Sequence, residues 1–305
     1  MERALVLTDG KAGHENQSKA LARALGFECV FATVKYKSKI HKALSYLFDF
    51  FGVNSTALFT LTDLPDGFRI VLGTGSGVFY AVKTIAKRSG VRSAVVLYPR
   101  GYALGGFDCV LAPAFDKPAK RPNVITVPAN LVATDARHYE DGVKAFEKRH
   151  ARQKRAVAVI VGGPNKCSSM SAEWMKRELD AVFAENKDCE FWVTTSRRTP
   201  GDVEELVNSY PFDYKLIYSR DHFNPIPAFV SLADRLYVTA ESTGMLSEAC
   251  TFGEAEVFAL DNLKEGGHKF RAFIDNLREG GYLGGRRKID LSAEFAHAKK
   301  LLDIT

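Results

Sequence analysis

Short apolar runs rich in branched residues alternate along the chain with longer stretches whose apolar positions recur every three or four residues. The first pattern predicts buried strands and the second amphipathic helices. In the first half, strands are expected at 4–8, 29–34, 69–72, 94–97, 109–112 and 124–127, with helices at 16–25 and 77–89. In the second half, strands are expected at 156–161, 190–195, 215–218, 235–239 and 256–259. Helices are expected at 172–186, 203–210, 227–233, 244–252 and 269–279. Strands that alternate with helices at this spacing return in the same direction through right-handed crossovers, which gives parallel sheets. The basic, polar stretch 147–155 offers few apolar anchors and reads as a linker. The expectation is an α/β chain of two Rossmann-like parallel-sheet domains, 1–148 and 149–305, facing a central cleft, with a C-terminal helix able to pack back on the first domain. Open α/β sheets bind ligands at the carboxyl ends of their strands, so the loops after the strands carry the candidate chemistry.

The second half offers three such loops. Gly162 and Gly163 follow its first strand, where the lack of a Cβ lets a ligand approach the backbone. Residues 194–200 follow the next strand, and Ser196, Arg197 and Arg198 there suit phosphate oxygens. Residues 239–249 form a strand end, a small-residue loop and a helix start. Ser242, Thr243 and Gly244 would turn hydroxyls and backbone N–H groups toward a pyrophosphate at a positive helix end, and Glu248, four residues beyond Gly244, would accept hydrogen bonds from ribose hydroxyls. A capping or salt-bridge role is the plainer alternative for Glu248, and a solvated surface pair for the two arginines.

In the first half, residues 8–17 (Thr-Asp-Gly-Lys-Ala-Gly-His-Glu-Asn-Gln) directly follow the first strand. The run is not a Walker loop. His14 is a candidate general base or phosphate ligand, and Asp9 the other candidate base. The plainer reading is a structural turn capped by Asn16 or Glu15. Residues 73–77 (Gly-Thr-Gly-Ser-Gly) look like a dinucleotide fingerprint, but Val78 stands at the third glycine position, so NAD binding is a weak reading. A tight turn holding an anion or the acceptor fits better. Residues 35–51 combine lysines with Ile40, Leu44, Leu47, Phe48 and Phe51 on one helical face. Burial is the plainer reading, and peripheral contact with an anionic membrane surface the sharper one.

Charge sharpens this division. Residues 1–150 carry 21 Lys and Arg against 13 Asp and Glu, and residues 151–305 carry 21 against 23, so the net +6 arises as +8 and −2. Either the excess serves solubility, or the first half meets an anionic or lipid-linked acceptor. No nucleic-acid motif accompanies it, so no nucleic-acid partner is expected. No run of 18 uncharged apolar residues is present, and the apolar run after Met1-Glu2-Arg3 is too short for a signal peptide. Five scattered cysteines read as reduced thiols. The expected location is therefore cytoplasmic, with peripheral attachment to the inner membrane face as an option. No clustered ligand set and no Asp-x-Asp occurs, so neither a metal nor a resident cofactor is expected.

The run at 8–17 resembles the N-terminal signature of the elongated-mitochondria fission protein family, the plant mitochondrial fission factors and their bacterial relatives. The motifs at 162–164, 194–200 and 241–248 fall where that family's later motifs do, with Glu241 in place of an expected Asp. The family is similar to glycosyltransferase-B enzymes. The resemblance implies Glu248 as the ribose ligand, 242–245 as the diphosphate contact, and His14 in the loop that offers a base. The function implied is a metal-independent glycosyltransferase with a nucleoside-diphosphate sugar as donor. A nucleotide-sugar epimerase or hydrolase of the same fold is one alternative, and a non-catalytic, membrane-associated scaffold another.

Overall fold

The computed structural model describes residues 2–62, 64–133 and 135–304. The chain divides into two compact units, Met1–Ala133 with Asp290–Thr305, and Thr134–Ile289.

The first unit begins with β1 (Arg3–Thr8), α1 (Ala12–Leu25), β2 (Glu28–Tyr36), α2 (Lys39–Phe50) and β3 (Phe59–Leu61). It continues with β4 (Ile70–Thr74), α3 (Phe79–Ser89), β5 (Arg92–Val96), β6 (Cys109–Pro113) and β7 (Val124–Val127). The strands form one sheet in the order β3-β2-β1-β4-β5-β6-β7. All its pairings are parallel except β2 with β3, an edge pair the sequence pattern misses because three residues cannot show a period. The central strands bury nearly every side chain, so they read as continuous Val, Leu and Ala runs rather than as alternation.

The second unit holds α4 (Ala136–Glu147), β8 (Ala156–Ile160), α5 (Ala172–Glu185), β9 (Glu190–Thr194) and α6 (Gly201–Ser209). Then come β10 (Tyr214–Leu216), α7 (Ile226–Leu232), β11 (Arg235–Thr239), α8 (Thr243–Thr251), β12 (Glu256–Leu260) and α9 (His268–Glu279). Its sheet is parallel throughout, in the order β10-β9-β8-β11-β12. The last helix, α10 (Ser292–Leu301), belongs to the first unit, where Phe295, Leu301 and Ile304 pack on a cluster containing Leu21, Leu25 and Leu131.

The stretch 147–155 is no linker. Phe146 is fully buried among Trp192, Tyr214 and Phe229. The buried carboxylate of Glu190 accepts the N–H groups of Gln153 (2.7 Å) and Lys154 (3.1 Å) and the indole N–H of Trp192 (2.9 Å). Arg149 pairs with Asp221 and Arg152 with Asp234. A basic run with few apolar residues is thus fixed to the second unit by its backbone and its ion pairs. The first crossing between the units therefore falls at 133–134 rather than at 148–149, and a second crossing falls at 289–290.

Candidate functional site

Each sheet has one break in strand order, where the chain moves from building outward on one side to building on the other. It lies between β1 and β4 in the first unit and between β8 and β11 in the second. Such a break leaves a crevice at the carboxyl ends of two neighbouring strands. The candidate residues gather at these two places.

In the first unit α1 starts at Ala12, so Gly13 and His14 lie in its first turn rather than in a loop. Neither Asn16 nor Glu15 caps it: the N-cap is Lys11, without a side-chain cap bond, and Glu15 accepts the Thr8 hydroxyl at 2.8 Å. Asp9 Oδ1 lies 3.0 Å from His14 Nδ1, and Asp9 Oδ2 receives the Lys11 ammonium at 2.6 Å. Burial raises the Asp9 pKa, but Lys11 and His14 outweigh it and hold the carboxyl below its usual range. As an anion, Asp9 fixes the imidazole with Nδ1–H donating and leaves Nε2 as the acceptor. Gln17 lies one turn further along the same helix face, and its Oε1 is buried without a hydrogen-bond partner among the described residues.

The turn after β4 is shaped by these side chains. A Cβ on Gly77 would lie 2.7 Å from Asp9 Oδ2, and one on Gly75, whose φ is +87°, would overlap the His14 ring. A Cβ on Gly73 would lie 2.7 Å from Val82. The glycines thus make room for the Asp9–His14 pair and for α3. This is a packing reason for a pattern that imitates a dinucleotide fingerprint.

Lys42, which the sequence places among the membrane-facing lysines, turns inward. Its ammonium donates to the Ser76 carbonyl and, at 2.9 Å, to the Tyr102 hydroxyl. The rings of Tyr36, Tyr46 and Tyr102 surround it at 4.8–5.3 Å. Burial pulls its pKa down to about 8, against the attraction of Asp9. The signal that would have found it is the polar line Lys42, Ser45, Asp49, spaced three and four apart on the side of α2 opposite Ile40.

In the second unit the loops after β8, β9, β11 and β12 are bound into one rim. Gly162 N–H donates to Thr239 Oγ1 (2.9 Å) and Gly163 N–H to Glu241 Oε1 (2.7 Å). Glu241 Oε2 accepts the Asn262 amide at 2.7 Å. Both glycine N–H groups are therefore engaged within the protein, and their role here is close packing. A Cβ on Gly162 would overlap Glu241, and one on Gly163 the Arg198 carbonyl. Ser196 is tied to the same rim through Thr199, whose hydroxyl donates to the Gly162 carbonyl at 2.6 Å. The Arg197 and Arg198 side chains are exposed and in no ion pair among the described residues.

Buried Ser242 opens α8 without a side-chain cap, and the first intrahelical bond runs from Leu246 N–H to the Ser242 carbonyl. The N–H groups of Thr243, Gly244 and Met245 precede that ladder and have no partner within the helix. Leu246, Ser247, Ala249 and Cys250 face the core, while Gly244, Met245 and Glu248 share the opposite face. Glu248 is half-buried. Its Oε1 accepts the Tyr139 hydroxyl at 3.1 Å, and burial raises its pKa although Tyr139 and His138 oppose the shift. Tyr139, from α4, is a partner that sequence spacing does not reveal.

Residues 12–294 match the family described as Mitochondrial fission ELM1. No curated protein sequence matches the chain. Among solved structures, UDP-GlcNAc 2-epimerase from Methanocaldococcus jannaschii is similar at 15% identity and a TM-score of 0.56, over 100% of this chain and 98% of that one. The Staphylococcus aureus MnaA–UDP structure follows at 11% and 0.51, covering 100% and 98%. The Neisseria meningitidis UDP-GlcNAc 2-epimerase bound to UDP-GlcNAc is also at 11% and 0.51, covering 99% and 98%. Likeness at these identities shows the fold, which is of the glycosyltransferase-B class with two parallel-sheet domains.

Proposed function

The chain belongs to the mitochondrial fission ELM1 family, and from that premise we propose that it is a metal-independent glycosyltransferase whose donor is a nucleoside-diphosphate sugar. The observation that carries the reading is the rim of the second unit. Gly244 and Met245 present N–H groups at the start of α8, Glu248 stands one turn along the same face, and two exposed arginines in no ion pair among the described residues flank the Gly163 contact. The N–H groups and Arg197 or Arg198 would hold the diphosphate and meet the charge that develops on it as it leaves, without a metal. The free oxygen of Glu248 would accept from a ribose hydroxyl. In the first unit, His14 Nε2 would take the proton of an acceptor hydroxyl while Asp9 stabilises the imidazolium. The basic character of that unit favours an anionic or lipid-linked acceptor.

Calorimetry with UDP, GDP, ADP and CMP sugars tests the donor. One of them should bind, and Arg197→Ala and Glu248→Gln should each weaken binding about tenfold. No heat with any of the four at millimolar concentration overturns the proposal.

A second reading, epimerisation or hydrolysis of the same donor, is favoured by the three solved structures described above, two of which are named as UDP-GlcNAc 2-epimerases. Product analysis separates the two. An epimer or free nucleotide formed without acceptor supports the second, and turnover that requires an added acceptor supports the first.

A further inference from the structure

The α2 helix is amphipathic in the wrong sense for a soluble fold. At ~100° per residue, Ile40, Leu47 and Phe51 lie within about 20° of one line, and Lys42, Ser45 and Asp49 lie on the opposite side. The protein buries the polar line. Ser45 bonds the Tyr102 hydroxyl at 3.0 Å, and Asp49 holds the Lys83 ammonium at 2.5 Å and the Ala103 N–H at 2.6 Å. The outward line stays in solvent: Ile40 is 71% exposed, Leu47 50%, Phe50 81% and Phe51 68%. Leu44 and Phe48, which the sequence groups with that line, instead pack half-buried on the core. Two adjacent phenylalanines left this bare do nothing for the fold, and a contiguous apolar stripe of this kind marks a docking surface.

Charge identifies the occupant. Between Cys29 and Thr62 the only carboxylate is Asp49, which is enclosed with Lys83. Lys35 at the end of β2, Lys37 in the turn that follows and Lys39 at the first position of α2 are exposed and take part in no ion pair among the described residues. An apolar helical face bordered by unpaired lysines and free of exposed carboxylates matches the boundary between anionic headgroups and acyl chains. No described helix is long and apolar enough to cross a membrane.

We propose that the outward face of α2 docks the protein on an anionic lipid bilayer, with Ile40, Leu47, Phe50 and Phe51 inserted below the headgroups and Lys35, Lys37 and Lys39 among them. This docking does not depend on the reaction proposed above.

The test is flotation of the full chain with phosphatidylcholine vesicles, with and without about 30% phosphatidylglycerol. Wild type should float with the anionic vesicles and not with the neutral ones. Phe50→Glu/Phe51→Glu should lower the bound fraction about tenfold. Lys35→Glu/Lys37→Glu/Lys39→Glu should lower it as far and remove its salt dependence. All five positions are exposed, so circular dichroism and melting should match wild type. Equal flotation of the phenylalanine variant, or none by wild type, overturns the proposal. So does a wild-type dimer in solution that the phenylalanine variant dissolves while neither floats, since the stripe would then cover itself.

Discussion

The two breaks in strand order carry the same kind of group in opposite conditions. Between β1 and β4, Asp9 is a carboxylate facing His14 and the Lys11 ammonium; Gly77 gives way to it and Gly75 to the His14 ring. Between β8 and β11, Glu241 is a carboxylate enclosed by N–H and O–H donors from Gly163, Thr239 and Asn262. The first retains a ring nitrogen and an ammonium able to meet a substrate. The second is engaged by the protein on both of its oxygens and serves to fix the rim on which α8 and the arginines stand. Glycines at a strand end therefore mean different things in the two units. In one they admit the Asp9–His14 pair, which keeps a ring nitrogen open, and in the other a carboxylate engaged by the protein on both oxygens.

Substitutions should separate these meanings. Both tryptophans, Trp174 and Trp192, lie in the second unit, so their fluorescence reports that unit alone while circular dichroism reports both. The largest effect expected is from Gly163→Ala, whose new methyl meets the Arg198 backbone, which cannot rotate away. It should destabilise the second unit by about 4 kcal/mol in urea melts followed by fluorescence. Glu241→Ala should cost about 3 kcal/mol by the same measurement, because it leaves the Gly163 N–H and the Asn262 amide buried and unpaired. Gly77→Ala should leave the fluorescence melt unchanged but lower turnover about tenfold, since a displaced Asp9 no longer orients His14. If Gly77→Ala instead unfolds the protein without touching turnover at low temperature, the contrast between the breaks fails.

The smallest effect concerns pH. Lys42 releases its proton at about 8 in the fold and at 10.5 as a free side chain. Between those values the unfolded chain binds more protons, so the stability of the first unit should rise with pH across that window. Lys42→Met should reduce this slope in melts followed by circular dichroism, and buried Lys83, whose pKa burial also lowers, supplies what remains. An NMR titration should place the Lys42 midpoint near 8, and Lys42→Met should remove that signal.

Apart from the antiparallel edge strand β3, the strands of both sheets were legible in the sequence because buried parallel strands are short, continuous and rich in branched residues. Val124–Val127 and Arg235–Thr239 lie where the pattern puts them, and the other strand ends differ by a residue or two. The misreadings have physical causes. Gly13 and Lys11 look like loop residues, yet a helix can begin on them. Tyr139 and Phe146 are too few to give α4 a visible period. The stretch 147–155 is anchored by backbone N–H groups, which composition does not display. Among the candidate residues, the proximity of Asp9 to His14 and the shared face of Gly244 and Glu248 follow from short spacings. The contacts of Lys42 with Ser76 and Tyr102, and of Glu241 with Gly163, join distant parts of the chain, which no local pattern encodes.

The return of α10 to the first unit has a consequence for synthesis. As the chain leaves the ribosome, Thr134–Ile289 is complete as one continuous stretch while the first unit still lacks Asp290–Thr305. Until those residues emerge, the seam of Leu21, Leu25 and Leu131 has no cover from Phe295 and Leu301. The first unit is therefore begun before the second and closed after it, and a chaperone would find its apolar seam open for the whole time the second unit is being made.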